Sequence, residues 1–311
     1  MKFKEKASSL VLAAIMLTSS VMPVSAARKD AIVGGNRYET AGKIADRMGS
    51  YNKAILVNGN SIADGLSASS LAGKENAPIL LVKKDSIPKE TLKRLYNVKK
   101  VYIIGKEGAI SQRVEKSLNQ SGMATERIGG DDRIDTSLEV SRKIGNYSKA
   151  FVVNGYKGQA DAMSAASVAA REKAPIILTN GKEIPTYTRS GVKYYVVGGD
   201  AVVNEYVRGR FNAERLSGSN RYGTNKVVVK KFYPNSSKYY FAKGDELVDA
   251  LTVSVLAKDN GVVLVSGNSD KSVMNNKDKV QVGGMKDSIV DSVFSNNPAP
   301  KPEPGEKPNK P

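Results

Sequence analysis

The sequence predicts an α/β protein of three tandem Rossmann-like or flavodoxin-like parallel-sheet repeats, packed in a pseudo-threefold arrangement. Two observations lead to this prediction. A set of short motifs recurs three times in the same order, and within each copy short apolar runs alternate with segments of helical periodicity. Motifs that recur in a fixed order indicate tandem structural units. Short, continuously apolar strands that alternate with helices are typical of parallel sheets covered on both faces.

An arginine motif marks the start of each repeat. In each copy a glycine or serine turn precedes an arginine, and a threonine follows three residues later. The arginines, which are 96 and 88 residues apart, are Arg37, Arg133 and Arg221. The threonines are Thr40, Thr136 and Thr224. Because threonine hydroxyls bond readily to nearby backbone groups, we expect these threonines to be structural residues at helix starts.

Three further markers follow the arginine in every copy. An aspartate in a segment of small residues comes 27 or 28 positions later, at Asp64, Asp161 and Asp249. An apolar run comes next, and its central residues are Ile79, Leu80, Leu81, Ile176, Ile177, Leu178, Val262, Val263 and Leu264. The last marker is a β-forming run that closes on glycine, at 101–105, 194–199 and 280–284. Four ordered markers in three copies establish a tandem repeat.

The first copy shows how each repeat is built. Residues 37–48 have apolar positions at helical spacing, and Asn36 precedes them as a helix cap. Residues 54–58 form a short apolar run that Gly59 ends, which is typical of a buried strand. The remaining predicted elements are a helix at 64–74, a strand at 78–82, a helix at 89–95, a strand at 101–104 and a helix that starts near 111.

The chain divides into five segments. Residues 1–26 have a lysine-rich start, a short apolar core and small residues before a cleavage point, so they are predicted to be an export signal of a secreted protein. No segment has the roughly 20 apolar residues that a membrane-spanning helix needs. The three repeats then occupy 27–123, 124–212 and 213–295. Residues 296–311 alternate proline with charged residues and glycine, which predicts an extended linker or tail.

The absence of histidine and cysteine argues against most enzyme chemistry. A zinc amidase needs imidazole ligands, and a Ser–His–Asp or Cys–His centre needs imidazole as its base. A glycosidase with two carboxylates needs neither residue, but no pair of acidic residues stands apart from the repeat pattern. We therefore expect a non-enzymatic protein that holds neither a metal nor a cofactor.

The formal net charge of +17 points to an anionic partner. A strongly basic protein attracts polyanions by long-range electrostatics. An exported chain without cysteine fits a surface protein of a Gram-positive cell. The abundant polyanions there are phosphate-bearing wall polymers, so we expect an anionic wall polysaccharide and no nucleic acid. No copy has the complete glycine pattern and acidic residue of a dinucleotide site. A charge that serves solubility alone remains the alternative.

Taken together, these motifs resemble those of the clostridial cell-wall-binding repeat 2 family. The resemblance covers about residues 30–295 and rests on all four markers in each copy. It implies an anchoring unit of three repeats that holds a surface protein non-covalently to an anionic, teichoic-acid-like wall polysaccharide, close to surface-layer proteins. It also implies that the apolar runs take part in anchoring. The copies differ, however, since Ile134 stands where the other two have Tyr38 and Tyr222.

Two interpretations of the motif residues remain open. The arginines can grip a phosphate or carboxylate because a guanidinium offers a bidentate fork. Tyr38 and Tyr222 would extend such a site, since the chain has no tryptophan for stacking on sugars. In the other interpretation each arginine pairs with one of the repeat aspartates inside the protein. The apolar runs are likewise either anchoring segments or simply strand interior.

Two other functions stay possible on this sequence. The protein could be a surface adhesin or a structural component of a surface layer, or it could accompany a peptidoglycan amidase. The loop Tyr156–Gln159 in the second copy is the one local irregularity suited to a further partner.

Overall fold

The computed structural model describes residues 30–295. The predicted export signal and the proline-rich tail lie outside the described residues. Within the range, the strands are β1 Asp30–Ile32, β2 Lys53–Asn58, β3 Ile79–Val82, β4 Lys100–Ile104, β5 Ala124–Ile128, β6 Lys149–Asn154, β7 Ile176–Thr179, β8 Lys193–Val197, β9 Glu214–Leu216, β10 Lys238–Lys243, β11 Val262–Val265 and β12 Asp278–Val282. The helices are α1 Arg37–Met48, α2 Ala68–Glu75, α3 Lys89–Leu92, α4 Gln112–Gln120, α5 Arg133–Ile144, α6 Gln159–Glu172, α7 Glu205–Arg210, α8 Arg221–Phe232, α9 Val248–Val253 and α10 Asp287–Phe294.

The strands form three separate four-stranded parallel sheets, which confirms the predicted three α/β units. The first sheet has the order β3-β2-β4-β5, the second β7-β6-β8-β9, and the third β11-β10-β12-β1. Every strand pair is parallel, as expected when helices cover both faces. The strands are largely apolar and buried, and the whole of β3 is inaccessible.

The fourth strand of each sheet links one unit to the next. Strand β5 completes the first sheet, although its residues 124–128 belong to the predicted second repeat, 124–212. The chain then runs directly from β5 into α5, the arginine helix of the second unit. Strands β9 and β1 lead in the same way into α8 and α1. The unit of the sheet is therefore shifted along the chain relative to the unit of the repeated motifs.

Strand β1 closes the arrangement. It pairs with β12 of the third sheet, with Asp30 opposite Val280 and Ile32 opposite Val282. Strand β1 is thus the fourth strand of the third sheet, as β5 is of the first sheet and β9 of the second. Each unit receives one strand in the same way, so the three units follow one another in a closed cycle.

Small residues let the helices at the centre approach closely. A Cβ added to Gly73 of α2 would lie 2.1 Å from the carbonyl oxygen of Ala170 in α6, so the two backbones nearly touch. The Ser254 hydroxyl donates to the Ser69 hydroxyl at 2.9 Å in a buried contact between the third and first units. The small-residue segments that carry the aspartate marker therefore form the common core. None of the helices within residues 30–295 is long and apolar enough to cross a bilayer.

Candidate functional site at the carboxyl ends of the strands

Polar caps fix the start of each arginine helix. The side chain of Asn36 accepts a hydrogen bond from the Glu39 amide at the start of α1. At the start of α5, Asp132 accepts from the amides of Ile134 and Asp135. Asn220 caps α8 in the same manner. Each cap satisfies amides that the first helical turn leaves without a partner, and it places the arginine at the first helical residue.

Each motif arginine is held by one nitrogen at the carboxyl end of a strand. The Nη1 atom of Arg37 donates to the Gly59 carbonyl at 2.5 Å, directly after β2. The equivalent bonds, from Arg133 to Gly155 after β6 and from Arg221 to Gly244 after β10, are both 2.9 Å long. All three lie at the edge of a parallel sheet where ligands of α/β proteins commonly bind.

The rest of each guanidinium has no acidic partner. Among residues 30–295, none of the three arginines forms an ion pair within 4.0 Å. Arg37 and Arg221 are exposed and Arg133 is half-buried. A guanidinium has five N–H donors, so each arginine is positioned by one bond and keeps further donors for an anion.

The motif threonines have a structural role. Thr40 is buried, and its hydroxyl accepts from the Gly34 amide at 3.1 Å. Thr136 accepts from Gly130 at 3.0 Å, and Thr224 accepts from Gly218 at 3.1 Å. These bonds tie the turn before each arginine helix to the helix itself, which explains why a threonine recurs at this position.

The motif aspartates pack against a glycine that ends the third strand of their unit. A Cβ on Gly105 would lie 2.9 Å from Oδ2 of Asp64, and one on Gly198 would lie 2.8 Å from Oδ2 of Asp161. The third unit repeats this contact between Gly283 and Asp249. All three glycines have positive φ angles, between +77° and +117°. Glycine is therefore required here both by the backbone conformation and by the room that the carboxylate needs.

Each aspartate faces the arginine of the following unit. Desolvation raises the pKa of Asp64, and hydrogen bonding from Thr136 and the charge of Arg133 oppose the rise. Burial raises the pKa of Asp161 to about 7, with Arg221 as the opposing charge. The arginine and aspartate motifs therefore meet across the junctions between units, although they are not close enough to count as ion pairs.

The cycle closes with the third aspartate. Burial raises the pKa of Asp249 to about 6 against the opposing charges of Lys243 and, more weakly, Arg37. Arg37 belongs to the first unit, so the junction between the third and first units repeats the other two. Lys243 occupies the last position of its strand, where the first two units have Asn58 and Asn154.

The predicted tyrosines occupy unequal positions. Tyr38 is only 9% exposed, and its hydroxyl donates to Asn60 at 3.2 Å, so it offers little surface to a sugar. Tyr222 is half-buried beneath Gly244. In the second unit, where Ile134 replaces the helix tyrosine, the loop residue Tyr156 is 47% exposed. Tyr38, which was predicted to extend the site, is therefore much less accessible than Tyr156.

The apolar runs lie in the protein core. They form β3, β7 and β11, and each of the predicted anchoring residues within them is at most 2% exposed. The nine residues are Ile79, Leu80, Leu81, Ile176, Ile177, Leu178, Val262, Val263 and Leu264. In the folded protein these side chains support the sheets and are not accessible to a polymer.

A surface cleft beside the second unit's arginine helix contains compensated charges. It has a volume of about 360 Å³ and lies between β5 and α5. Its cations bind acidic neighbours, since Lys143 pairs with Glu126 at 2.6 Å and Arg142 pairs with Glu139. Arg127 is likewise held by Glu115 at 2.7 Å. No group of three or more acidic residues suited to a metal ion occurs in the part of the chain that the structure describes.

Comparison with known proteins identifies the three units. The family model described as cell wall binding domain 2 matches residues 31–115, 127–208 and 215–294. These segments begin near the arginine motifs and together cover most of the chain. The family is defined by binding, which agrees with the expectation of a non-catalytic protein.

Two curated relatives come from Bacillus subtilis strain 168. The chain is 34% identical over 246 residues to N-acetylmuramoyl-L-alanine amidase LytC, with 75% of this chain and 49% of the relative covered. It is 31% identical over 243 residues to the amidase enhancer, with 76% and 34% covered. The chain therefore spans half or less of the length of these relatives.

Two solved structures from Clostridium difficile have the same fold. Cwp6 superposes with a TM-score of 0.78 at 31% identity and covers 87% of this chain and 48% of its own. Cwp8 superposes with a TM-score of 0.77 at 32% identity, covering 86% of this chain and 50% of its own. Both the family and the solved structures indicate a location at the cell wall or cell surface.

Proposed function

We propose that this chain, which belongs to the cell wall binding domain 2 family, is a secreted, non-enzymatic anchor that binds an anionic wall polysaccharide of a Gram-positive bacterium non-covalently. Binding takes place at the carboxyl ends of the strands, where Arg37, Arg133 and Arg221 lie. Phosphate groups of the polymer accept hydrogen bonds from the guanidinium nitrogens that the glycine carbonyls leave free.

One observation carries this proposal. Three arginines are each positioned by a single hydrogen bond to a glycine carbonyl, and none of them forms an ion pair within 4.0 Å with an acidic residue of 30–295. A fixed guanidinium is well suited to a phosphate, because its planar fork can donate to two phosphate oxygens and little side-chain entropy is lost when it binds. The net charge of +17 adds long-range attraction to a polyanion.

The test compares two triple variants of the full chain. In the first, Arg37, Arg133 and Arg221 are each replaced by Gln. In the control, Lys99, Lys173 and Lys230 are replaced by Gln, since these exposed lysines lie at the opposite ends of the strands and helices and lose the same total charge. Binding is measured on purified walls before and after phosphate-bearing polymers are extracted with hydrofluoric acid.

We expect the arginine variant to lose affinity by about tenfold or more for each arginine that contacts phosphate. The control should lose only the smaller share that comes from long-range charge. Wild-type binding should weaken as ionic strength rises and should vanish on extracted walls. Binding that survives extraction, or equal losses in the two variants, would rule out an arginine-based polyanion site.

The amidase relatives favour a second function, in which the chain accompanies a wall amidase. Both the amidase LytC and the amidase enhancer share this region with the chain. Release of peptidoglycan fragments by an added amidase, with and without the chain, tests this function. A release rate that rises only when the wall polymer is present would support this second function. An unchanged rate would contradict it and would leave anchoring as the proposed function.

A further inference from the structure

The three loops that receive the motif arginines differ in chemistry. The loops follow β2, β6 and β10, and each begins with the glycine whose carbonyl the arginine binds. After that glycine the first unit has Asn60-Ser61, the second has Tyr156-Lys157, and the third has Asp245-Glu246. The first loop is therefore neutral, the second is aromatic and cationic, and the third is anionic. In the third loop Glu246 pairs with Lys243 at 2.8 Å, so the two carboxylates are partly compensated, and the second loop is the most favourable of the three for an anionic polymer.

Tyr156 is held rigidly. Its ring lies 4.7 Å from the guanidinium carbon of Arg133, and its hydroxyl donates to Oδ2 of Asp132 at 3.1 Å. Its backbone amide donates to the side chain of Asn154 at 2.9 Å. One face of the ring is thus stacked on a cation, while 47% of the residue remains exposed. A preorganised aromatic ring loses little entropy when a ligand stacks on it.

The replacement of a tyrosine by Ile134 makes this arrangement possible. In the first and third units, the helix tyrosine lies beneath the loop glycine; the nearest atom of Tyr38 is 2.9 Å from a Cβ placed on Gly59. In the second unit that place is free of an aromatic ring, and the arginine instead stacks on the ring of the loop residue. The aromatic group moves from a buried position to the surface.

Lys157 adds a second cation next to the ring. It is exposed, its amide donates to the Asn154 side chain at 2.9 Å, and it takes part in no ion pair within the described chain. The loop therefore presents one exposed aromatic face, with the cation of Arg133 on the other face and Lys157 next to Tyr156 in the chain. This combination fits a sugar ring that carries a phosphate, because the ring stacks while the phosphate meets a cation.

We propose that Tyr156, Arg133 and Lys157 form a subsite for a phosphate-bearing hexose unit, and that the three units consequently bind the polymer unequally. The hexose stacks on the exposed face of Tyr156, and its phosphate is bound by Arg133 or Lys157. The inference rests on the proposed function for its biological ligand, but the subsite itself is defined by these residues alone.

The first experiment measures the affinity of the full chain for isolated phosphate-bearing wall polysaccharide. Tyr156→Leu removes the flat ring and should weaken binding about five- to tenfold. Tyr156→Phe keeps the ring and should stay within about twofold. Tyr187→Leu is the matched control, since Tyr187 belongs to the same unit and is 88% exposed, and it should leave affinity unchanged. Unchanged thermal midpoints verify that the variants fold.

The second experiment needs no polymer. Ring signals of Tyr156, assigned by comparison with Tyr156→Leu, are followed by NMR while the chain is titrated with glucose 1-phosphate or inorganic phosphate. Glucose 1-phosphate should shift these signals more than inorganic phosphate at equal concentration, and Tyr187 should not respond. The absence of such a difference would overturn the subsite.

The two experiments separate the two proposals. If wild type binds the polymer but Tyr156→Leu behaves like Tyr187→Leu, the subsite is wrong and the anchoring function stands. If the polymer does not bind but glucose 1-phosphate shifts Tyr156 selectively, the subsite is real and the proposed polymer is wrong.

Discussion

The junction between the first and second units and the junction between the second and third units use the same motifs in different environments. At the first junction Asp64 is half-buried and accepts a hydrogen bond from Thr136 at 3.1 Å. At the second junction Asp161 is 7% exposed, and its carboxylate accepts no hydrogen bond from the described residues. The same sequence marker thus gives two different carboxylates. Asp64 is partly solvated and hydrogen-bonded, whereas burial destabilises the charged form of Asp161.

The largest expected effect comes from Asp161→Asn. The folded protein binds a proton at Asp161 more tightly than the unfolded chain does, since burial raises the pKa of this carboxyl group to about 7 from its ordinary value of 3.8. The wild-type free energy of unfolding therefore falls as pH rises from about 4 to about 7. The Asn variant escapes this loss, so at about pH 8 it should be more stable than wild type by up to about 4 kcal/mol. Urea unfolding at several pH values measures the difference.

Asp64→Asn is the matched variant at the first junction. Solvent and the bond from Thr136 already support the charged carboxylate there, so its gain at alkaline pH should be clearly smaller. Equal gains at the two sites would mean that burial does not distinguish the junctions. A flat pH profile for wild type would contradict the buried state of Asp161 altogether.

A smaller effect is expected where the first two units meet at the centre. The Gly73→Ala change places a methyl group 2.1 Å from the backbone of Ala170, so α2 and α6 must move apart. Overpacking of this kind costs about 1–3 kcal/mol, even though alanine is the better helix former. Thermal and urea unfolding give the cost. Gly199→Ala is the control, because a Cβ there meets nothing within 4 Å, and a comparable loss in the control would refute the close approach.

The smallest expected effect separates two threonines. Thr136→Val and Thr224→Val each leave a glycine amide without its acceptor. Thr136→Val additionally removes the bond to Asp64, so it should cost about 1 kcal/mol more in unfolding free energy. If the two losses are equal, the contact with Asp64 contributes nothing to the first junction.

The sequence predicted the fold well because each element depends on local patterns. Composition and spacing predict the cap at Asn36, the apolar strand β2 and the glycine that ends this strand. The recurrence of these patterns then predicted three units without any knowledge of their contacts. Periodicity and turn chemistry act over a few residues, so a single sequence displays them directly.

The pairing of the motifs was not predictable in the same way. Arg133 faces Asp64 of the preceding unit. This pairing depends on how neighbouring units are joined, because β5 completes the first sheet and leads directly into the helix that carries Arg133. The exposure of Tyr156 depends on the absence of a ring at Ile134, a substitution that the sequence shows but whose consequence requires the geometry of the loop. Sequence patterns thus identified the residues, whereas their partners follow from tertiary packing.

The pairing of β1 with β12 also constrains how the chain folds. Asp30 lies beside Val280, which is 250 positions further along the chain, whereas every other strand pair joins much nearer segments. Each of the first two sheets can form from a continuous segment of the chain, but the third needs both ends of the described chain. Until β12 is in place, β1 has no strand to pair with, and the segment that leads into α1 is not fixed to a sheet. Completion of the cycle is therefore expected to be a late step of folding, with the Asp249–Arg37 junction the last to assemble.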